Sequence, residues 1–492
     1  MSEIVDFVIL HTNDLHSVFE SMPRIRSIFA AYEREQPPER LLRFDIGDHM
    51  DRMRIETEGT MGAANVDVMN ATGYDAAVPG NNEGLTLPAE ALEELYGRQA
   101  AFPVLVANLR RTEADSDSGE GGEGASWLRP RLVLERGGVR FGLFGLTAAF
   151  DPFYRELGWR ATDPFEAAAA QVARLREEGA DVIIALSHLG LSQDRRLAET
   201  VPGIDLVLGG HTHHLLERLE RAGGAYIGAA GKFGSHVGVV RLAVDTAARR
   251  IVRCEGGAVD ASSAEPDPAL AALIERRASA ARASMARVVA RLPRALPADP
   301  DRESTLGNLL AMALRRHCDA DIGIVNAGQL LAGLPAGPVT AAELLAVCPS
   351  PINPCSMLLR GASLREAIEE AMASASRERE IRGFGFRGKV LGTLLLDGAT
   401  VETLPSGPER GDRRVGSIYV GAEPLDDERW YRVGTIDMFT FRIGYPSLAD
   451  GTEITFRLPE FLRDLLAESL ASPALGGWIE AAERPRYVEA RE

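Results

Sequence analysis

Short apolar runs alternate with helix-type spacing along the first half of the chain, up to about residue 260. The runs are Val5–Leu10, Leu41–Ile46, Ala76–Val78, Phe102–Val106, Val139–Leu146, Val182–Leu186 and Leu206–Leu208. Segments with helical spacing lie between them, including Ile25–Arg34, Ala63–Ala71, Ala89–Tyr96 and Pro164–Glu178. This alternation predicts an α/β layered domain with largely buried strands. The Gly- and Val-rich segment Tyr226–Glu255 instead predicts antiparallel strands.

A change of composition after residue 262 predicts a domain boundary. An Ala- and Arg-rich stretch flanked by prolines, Asp267–Leu292, predicts one long connecting helix. Because 492 residues are too many for one hydrophobic core, we expect two domains. We place an N-terminal domain at 1–262, a connecting helix and linker at 263–302, and a C-terminal domain at 303–492.

The C-terminal half mixes both kinds of pattern. Helical spacing occurs at Leu306–His317 and Ala362–Ala373. Strand-like runs occur at Asp321–Val325, Lys389–Leu396, Thr400–Leu404, Val415–Val420 and Tyr431–Ile436. This mixture predicts an α+β domain.

The net charge of the chain limits the kinds of molecule it is expected to bind. The 71 acidic and 54 basic residues give a net charge of -17, which repels nucleic acid and anionic membranes, so we expect neither as a partner. An anionic small substrate would need local positive charge, which bound metal ions supply. The acidic, Gly/Ser-rich segment Thr112–Ser126 predicts a solvated surface loop or a disordered insertion.

Targeting and redox signals are missing from the sequence. The N-terminus shows no basic region followed by an apolar stretch, and no run approaches the ~18 apolar residues of a membrane span. The four cysteines have no CxxC spacing, which is typical of thiols in a reducing compartment. We therefore expect a cytoplasmic protein, and the sequence gives no information on its oligomeric state.

Candidate metal ligands follow the predicted strands directly. Five strand ends, in order along the chain, present Asp14 with His16, then Asp48, Asn81, His188, and His211 with His213. In an extended chain, residues two apart such as Asp14 and His16 point to the same side and can reach one ion. Strand carboxyl ends are where open α/β sheets bind ligands. Mixed imidazole, carboxylate and amide ligands favour divalent transition-metal ions such as Mn, Zn, Fe or Co.

These residues stand in ordered motifs that resemble those of calcineurin-like metallophosphoesterases. The motifs are Asp14-x-His16, Gly47-Asp48, Gly80-Asn81-x-Glu83, a lone His188 and Gly210-His211-x-His213. Their flanking residues, together with the segments 303–308 and 325–328, are similar to the 5'-nucleotidase branch. The resemblance implies a four-layer α/β/β/α metallophosphoesterase domain followed by an α+β substrate domain of the 5'-nucleotidase type.

The resemblance also implies roles for the ligands. One metal would be held by Asp14, His16 and His213, the other by Asn81, His188 and His211, with Asp48 bridging. Such ions lie ~3.5–4 Å apart, clamp a phosphate and activate hydroxide for attack. We therefore expect hydrolysis of a phosphate ester or anhydride of a small, nucleotide-like molecule.

The chain departs from the family pattern beside Asn81. The family carries a histidine next, supported by an aspartate, whereas this chain has Asn82 and an apolar residue at the aspartate position. An amide can donate a hydrogen bond to a phosphoryl oxygen but cannot act as a general acid. His49 is a candidate catalytic substitute, with a supporting or surface position as the alternative. A good leaving group, such as a pyrophosphate or a thiol, would need no general acid.

The resemblance implies that the C-terminal domain holds a nucleoside between two aromatic rings. The segments 383–388 and 435–445 would carry those rings. The candidate substrate-binding residues are Asn326, Phe386, Arg387, Phe439, Arg442 and Tyr445. Leu330 replaces an expected arginine, and the second loop lacks the Gly-Gly-Asp-Gly run of the family. A different organic group is therefore an alternative to a base, and the two arginines face either phosphate or solvent.

Two further classes of function stay open at this stage. One is a metal-dependent ligand-binding or sensor protein with weakened turnover. The other is a 2',3'-cyclic phosphodiesterase or a sulfur-ester hydrolase of the same superfamily.

Overall fold

A computed structural model describes residues 4–112, 127–405 and 413–490 of the chain. The chain divides into two units, Met1–Arg282 and Ala283–Glu492. The division falls inside the segment 263–302 that the sequence predicts as the connection. The predicted acidic loop lies outside the described residues from position 113 to 126.

Strands of the N-terminal unit follow the predicted order. They are β1 (Ile4–Thr12), β2 (Leu41–Asp45), β3 (Ala76–Ala77), β4 (Val104–Leu105), β5 (Leu109–Arg111), β6 (Leu128–Arg129), β7 (Arg131–Arg136), β8 (Val139–Thr147), β9 (Trp159–Ala161), β10 (Val182–His188), β11 (Leu206–Gly209), β12 (Glu220–Ala222), β13 (Ala225–Ala229), β14 (His236–Asp245) and β15 (Arg250–Asp260). Every predicted strand from residue 5 to 208 is present. The segment Tyr226–Glu255 includes most of the antiparallel pair β14–β15, as predicted, but β13 at its start pairs parallel with β11.

Two larger sheets organise this unit within its described residues. The first has the order β15-β14-β1-β2-β3-β4-β6, with β1 to β4 and β6 parallel. The second has the order β12-β13-β11-β10-β8-β7, with β8, β10, β11 and β13 parallel. Parallel strands place their carboxyl ends at one edge of a sheet, so each sheet gathers its strand-end residues there.

The core between the sheets explains why the strands are almost wholly apolar. Along β8, Phe141 and Leu143 pack into a cluster shared with β1, β2 and β14 of the first sheet. Phe144 and Leu146 alternate with them and pack on the opposite face, against helices. Because both faces are covered, every position of β10 is buried.

Helices cover the outer faces of the sheets. The helices of the N-terminal unit are α1 (Met22–Glu35), α2 (Ile55–Thr60), α3 (Ala63–Thr72), α4 (Asn81–Thr86), α5 (Ala89–Leu92), α6 (Asp151–Glu156), α7 (Pro164–Glu177), α8 (Leu191–Thr200) and α9 (Pro268–Met285). Helices α7 and α8 pack on the second sheet. Val8 and Leu10 of β1 point away from the inter-sheet core and are buried as well, as the predicted α/β/β/α layering requires.

The predicted connecting helix ends earlier than expected. Helix α9 stops at Met285, and Val288–Leu292 forms strand β16 instead. The Ala- and Arg-rich composition continues through the boundary, but Val288 and Val289 are β-branched and favour a strand. The prediction of one helix from Asp267 to Leu292 was therefore wrong at its C-terminal end.

The C-terminal unit has a mixed α+β fold. Its strands are β16 (Val288–Leu292), β17 (Ile322–Asn326), β18 (Gly337–Thr340), β19 (Pro354–Arg360), β20 (Leu394–Asp397), β21 (Ala399–Pro405), β22 (Arg413–Val420), β23 (Glu423–Pro424), β24 (Trp430–Ile436), β25 (Thr452–Phe456) and β26 (Tyr487–Glu489). Its helices are α10 (Thr305–His317), α11 (Ala341–Val347), α12 (Gly361–Ala371), α13 (Ser374–Arg377), α14 (Asp437–Thr440), α15 (Leu462–Ala471) and α16 (Leu475–Ala482). Sheets with the orders β20-β17-β24-β19-β25 and β23-β22-β21-β26 share one apolar core with α10 and α15.

Two features of the helices and loops complete the description. Ser304 caps α10 by accepting a hydrogen bond from the Gly307 amide at 3.3 Å. The predicted strand Lys389–Leu396 is mostly loop, since β20 begins only at Leu394.

No helix within the described ranges is both long and apolar enough to cross a lipid bilayer.

Candidate functional site

The loops after five strands bring the predicted ligands together. Asp14 and His16 follow β1, Asp48 follows β2, Asn81 follows β3, His188 ends β10, and His211 and His213 follow β11. The first sheet thus supplies four of the side chains and the second sheet supplies three.

Asp14, His16 and His213 form a first cluster, whose candidate ligand atoms all lie within 4.8 Å of one another. Asp14 Oδ1 is 3.8 Å from His16 Nε2 and 3.4 Å from His213 Nε2. The two imidazole Nε2 atoms are 3.0 Å apart. The fully buried Asp14 also accepts a hydrogen bond from Asn13 Nδ2 at 2.7 Å, which fixes its carboxylate.

Asp48, His188 and His211 form a second cluster on the same criterion. Asp48 Oδ1 lies 3.4 Å from His188 Nε2. Its other oxygen, Oδ2, lies 3.9 Å from His16 Nε2 in the first cluster. One carboxylate therefore faces both clusters, an arrangement that suits a ligand shared by two cations.

Two buried acceptor atoms without hydrogen-bond partners indicate whether these residues could bind metal cations. His188 Nε2 and Asn81 Oδ1 are buried and have no hydrogen-bond partner. His188 Nδ1 lies 2.6 Å from the Ile46 carbonyl oxygen and must donate to it, so Nε2 is left to accept or to bind a cation. An unsatisfied buried acceptor costs about 1–3 kcal/mol. The donor set, two orphaned acceptors included, fits divalent metal ions.

Charge in the clusters is compensated internally. Burial opposes a charged imidazole, but the carboxylates of Asp48 and Asp14 raise the pKa of His188 to about 10. Burial also opposes ionisation of Asp48, yet His188 and His16 hold the pKa of Asp48 below its usual range. Burial and then the positive charge of His188 lower the pKa of His211 to about 4. A metal ion bound at His188 Nε2 would supply the positive charge that these carboxylates favour, in place of a proton.

Backbone geometry at the ligands differs from the extended chain that the sequence predicts. Five of the predicted ligands have positive φ: Asp14 at 53°, His16 at 45°, Asp48 at 49°, His211 at 73° and His213 at 59°. Non-glycine residues rarely adopt this region, and such strain gathers at functional sites. Asp14 and His16 do meet, but through a tight turn rather than through strand alternation.

Glycines allow the loops to approach closely. A Cβ on Gly80 would lie 2.1 Å from Asp48 Oδ1, and one on Gly210 would lie 2.9 Å from His188 Nδ1. Neither position can take a side chain unless the adjoining ligand moves.

Two supporting carboxylates were not predicted as functional. Glu83 is fully buried and accepts hydrogen bonds from the amides of Gly80, Asp48 and Met50, at 2.8, 3.1 and 2.8 Å. It ties the loops after β2 and β3 together, and its place in the Gly-Asn-x-Glu motif was the available signal. Asp51 Oδ2 lies 3.6 Å from His16 Nδ1, and no motif marks it.

The two candidate catalytic residues occupy different surroundings. The backbone amide of Asn82 donates to Asp48 Oδ1 at 2.8 Å, and its side-chain Nδ2 lies 2.9 Å from His16 Nδ1. The His49 ring is buried, with Nδ1 3.3 Å from Asn65 Nδ2, and belongs to neither cluster. Burial lowers the pKa of His49 to about 3, so it carries no acidic imidazolium proton at neutral pH. This geometry favours Asn82.

Three predicted substrate-binding rings lie in the hydrophobic core of the C-terminal unit. Phe386 is 4% exposed, and Phe439 and Tyr445 are 0% exposed. The Tyr445 hydroxyl donates to the Gly392 carbonyl at 3.0 Å. Rings enclosed by protein offer no face for a ligand to stack on, so the stacking role does not fit these three residues.

The three predicted polar contacts also have protein partners. Asn326 is fully buried and donates from Nδ2 to the Leu391 carbonyl at 2.6 Å, which anchors the loop before β20. Arg442 is exposed and pairs with Asp450 at 2.8 Å. Arg387 is half-buried, and its amide donates to Ser350 Oγ at 3.1 Å.

Two neighbouring rings of the same segments are accessible. Phe384 is 51% exposed and Phe441 is 39% exposed. Their centroids are 5.7 Å apart with planes tilted by 39°. Phe384 has φ 54° between Gly383 and Gly385, which also have positive φ. The loop therefore holds Phe384 outward while Phe386 packs inward.

Comparisons with known proteins agree with this architecture. Residues 7–215 match the calcineurin-like phosphoesterase family, and residues 284–447 match the 5'-nucleotidase C-terminal domain. The uncharacterized metallophosphoesterase YunD of Bacillus subtilis (strain 168) is 38% identical over 465 residues, covering 94% of this chain and 98% of that protein. Human 5'-nucleotidase is 25% identical over 426 residues, covering 75% of this chain and 72% of that one.

A solved structure shows the same fold over both units. The NAD nucleotidase of Haemophilus influenzae matches with a TM-score of 0.67 and 17% identity, covering 99% of this chain and 98% of that one. The predicted family and fold class are therefore confirmed. The chain belongs to the calcineurin-like phosphoesterases that carry a 5'-nucleotidase C-terminal domain, and it is a hydrolase acting on phosphoester bonds.

Proposed function

We propose that this hydrolase releases phosphate from small, nucleotide-like esters or anhydrides at two divalent metal ions. Asp14, His16 and His213 would hold one ion, and Asn81, His188 and His211 the other, with Asp48 between them. The carrying observation is Asp48, whose Oδ1 faces His188 and whose Oδ2 faces His16. When bound, the ions would neutralise phosphoryl oxygens and make water a stronger nucleophile.

Asn82 would hold the phosphoryl group. Its side-chain amide lies beside His16 and its backbone amide is fixed on Asp48, so its position is set by two ligands. The amide donates a hydrogen bond but no proton. Leaving groups that are stable as anions would therefore react fastest.

The C-terminal unit would bind the organic group through Phe384 and Phe441. A base stacked between two rings needs centroids about 7 Å apart, twice a ~3.5 Å contact. The observed 5.7 Å means that one ring must turn before a base can enter. The alternative, a base stacked on one outer face, needs no such movement.

The hydrolase activity is tested by Asp48→Asn. Losing the shared negative charge should lower phosphate release about a hundredfold or more, measured with Mn, Zn, Co or Mg on nucleoside monophosphates, cyclic nucleotides, nucleotide sugars, pyrophosphate and a chromogenic ester. Asp6→Asn is the matched control, because Asp6 is exposed and pairs only with Arg253 among the described residues. Phosphate release that does not depend on Asp48 would contradict the proposal, and no release with any metal would favour a sensor.

Metal content should follow the two clusters separately. We expect two ions per native chain, and about one after either His213→Ala or His188→Ala, because each removes one ligand of a single cluster. Elemental analysis after dialysis gives the ratio. His236→Ala is the control, since His236 contacts Ser235 and belongs to neither cluster. One ion per native chain would refute the dinuclear centre.

Asn82 should set the dependence of rate on leaving group. Asn82→Ala should lower kcat about a hundredfold through the lost hydrogen-bond donor. Asn82→His should flatten the plot of log kcat/KM against leaving-group pKa, because imidazolium can protonate poor leaving groups. A series of substituted phenyl and alkyl phosphates gives the slope.

His49→Ala serves as the comparison in that series. A buried, neutral His49 is expected to leave the slope unchanged even where the variant is less stable. A steeper slope in His49→Ala would instead identify His49 as the proton donor.

Phe384→Ala and Phe441→Ala should each raise KM for nucleotides about tenfold, because each removes a stacking face for the base. The ratio of kcat/KM for nucleotide over pyrophosphate isolates the base-dependent part. Trp430→Ala removes another exposed ring of the same unit, 44% exposed, and should leave the ratio unchanged. Equal effects of all three substitutions would argue against stacking.

A further inference from the structure

An exposed aromatic residue in a strained conformation lies beside the first cluster. Phe233 has φ 62° and is 42% exposed. Its ring stands edge-on to the His16 ring, with centroids 5.8 Å apart and an interplanar angle of 73°. Bulky residues at positive φ are uncommon, and they persist where the surrounding structure forces them. The position therefore calls for a functional account.

Hydrogen bonds fix this residue to the ligand-bearing loop. The Phe233 amide donates to the Asp14 carbonyl at 2.8 Å. Ser21 Oγ donates to the Phe233 carbonyl at 2.6 Å, and Asn13 Nδ2 donates to the Gly231 carbonyl at 2.7 Å. The backbone that carries the ring is thus tied to the loop of the predicted metal ligands before any substrate binds.

Lys232 places a positive charge on this ring. Its Nζ lies 4.7 Å from the Phe233 ring centroid, and among the described residues it pairs with no carboxylate. The chain has 54 basic residues, and Lys232 and Lys389 are its two lysines. An ammonium is a compact charge with three donors that turns freely toward a phosphate, whereas a guanidinium needs a planar approach. In a chain that otherwise uses arginine, a lysine at this position fits a phosphate contact in which the ammonium group must be free to rotate.

We propose that Lys232 and Phe233 form a subsite for the leaving side of the substrate, and that the group bound there is a second phosphate. This inference rests on the proposed function and narrows it to phosphoanhydrides. Phe233 would provide an apolar wall beside His16, and Lys232 would provide the charge that meets the second phosphate.

The chemistry of an anhydride matches the rest of the site. The water oxygen forms the new bond to the terminal phosphorus while the bond from that phosphorus to the bridging oxygen breaks. The electron pair stays on the bridging oxygen, which leaves as part of an anionic phosphate, and the proton of water passes to solvent. Asn82 cannot protonate a leaving group, and here none is needed because Lys232 stabilises its negative charge.

Lys232→Gln tests the subsite through a ratio of substrates. Native protein should prefer ADP, releasing its terminal phosphate, over AMP and p-nitrophenyl phosphate. The variant should lower kcat/KM for ADP about tenfold relative to that for p-nitrophenyl phosphate, mainly through KM, as expected for one charge-assisted hydrogen bond. Lys232→Arg should restore only part of the ratio. Added salt should raise the native KM for ADP more than that of the variant.

Matched variants separate this contact from general damage. Arg253→Gln removes one positive charge from an exposed strand position and should leave the ratio unchanged. Phe233→Leu should lower the ratio without changing metal content, since the ligands stay in place. An equal loss on all three substrates, or an unchanged ratio in Lys232→Gln, would overturn the subsite.

Failure of the proposed function would be seen separately. If native protein hydrolyses none of the substrates with any metal, the hydrolase proposal fails. Calorimetry with the non-hydrolysable methylene analogue of ADP then tests the subsite alone. About tenfold weaker binding to Lys232→Gln than to native protein would support it, and equal binding would overturn it.

Discussion

Buried negative charge at the meeting edge of two sheets is the constraint on which the site depends. Asp14 is 0% exposed and Asp48 is 3% exposed, where an uncompensated carboxylate is costly. The charge is offset by His188 of the second sheet, whose pKa the two carboxylates raise to about 10 against the effect of burial, and by His16 of the first sheet, which faces Asp48. The first sheet carries both carboxylates, whereas His188, His211 and His213 come from the second. The two-sheet architecture is therefore a requirement of the site as well as a source of apolar burial.

Close approach of the loops follows from that constraint. Compensation works only at short range, since an interaction between charges weakens with distance and with solvent between them. Gly80 and Gly210 let neighbouring backbone come within reach of Asp48 and His188. Glu83 holds two of the loops together by accepting hydrogen bonds from three backbone amides. Five of the predicted ligand residues adopt positive φ in these tightly packed loops. Strain and burial at this edge are thus two consequences of the same packing.

Much of this could be predicted from the sequence, for identifiable reasons. Buried parallel strands are near-continuous apolar runs, so their ends were visible, and the ligands stand at those ends. Alternation along an extended strand does not account for the Asp14 and His16 pair, because a turn brings the two side chains together. Asp51 could not be found, since its contact with His16 arises from a loop with no periodic pattern. The sequence does not predict the early end of α9, because the Ala- and Arg-rich composition continues past Met285. The local signal is the pair of β-branched residues Val288 and Val289, which begins strand β16.

The substrate loop shows why the same reasoning reaches less far outside regular elements. Phe384 and Phe386 are two residues apart with glycines around them, and nothing in their order tells which one packs inward. The structure decides it through the backbone, because Phe384 lies in a run of three positive φ angles and Phe386 does not. A glycine-rich loop leaves side-chain direction to tertiary packing, whereas a strand sets it by alternation.

Replacement of the family's histidine by Asn82 changes how a leaving group can be stabilised. With Asn82 and the apolar Leu85 at these positions, neither member of the family's histidine–aspartate pair is present to protonate a leaving group. Under the proposed function, a leaving group would be stabilised by positive charge, from bound metals or from a cation such as Lys232. Negative charge on the leaving oxygen is spread over a whole phosphate in an anhydride but concentrated on one atom in an alkoxide. A site that offered charge without protons would therefore discriminate between these two classes by electrostatics alone.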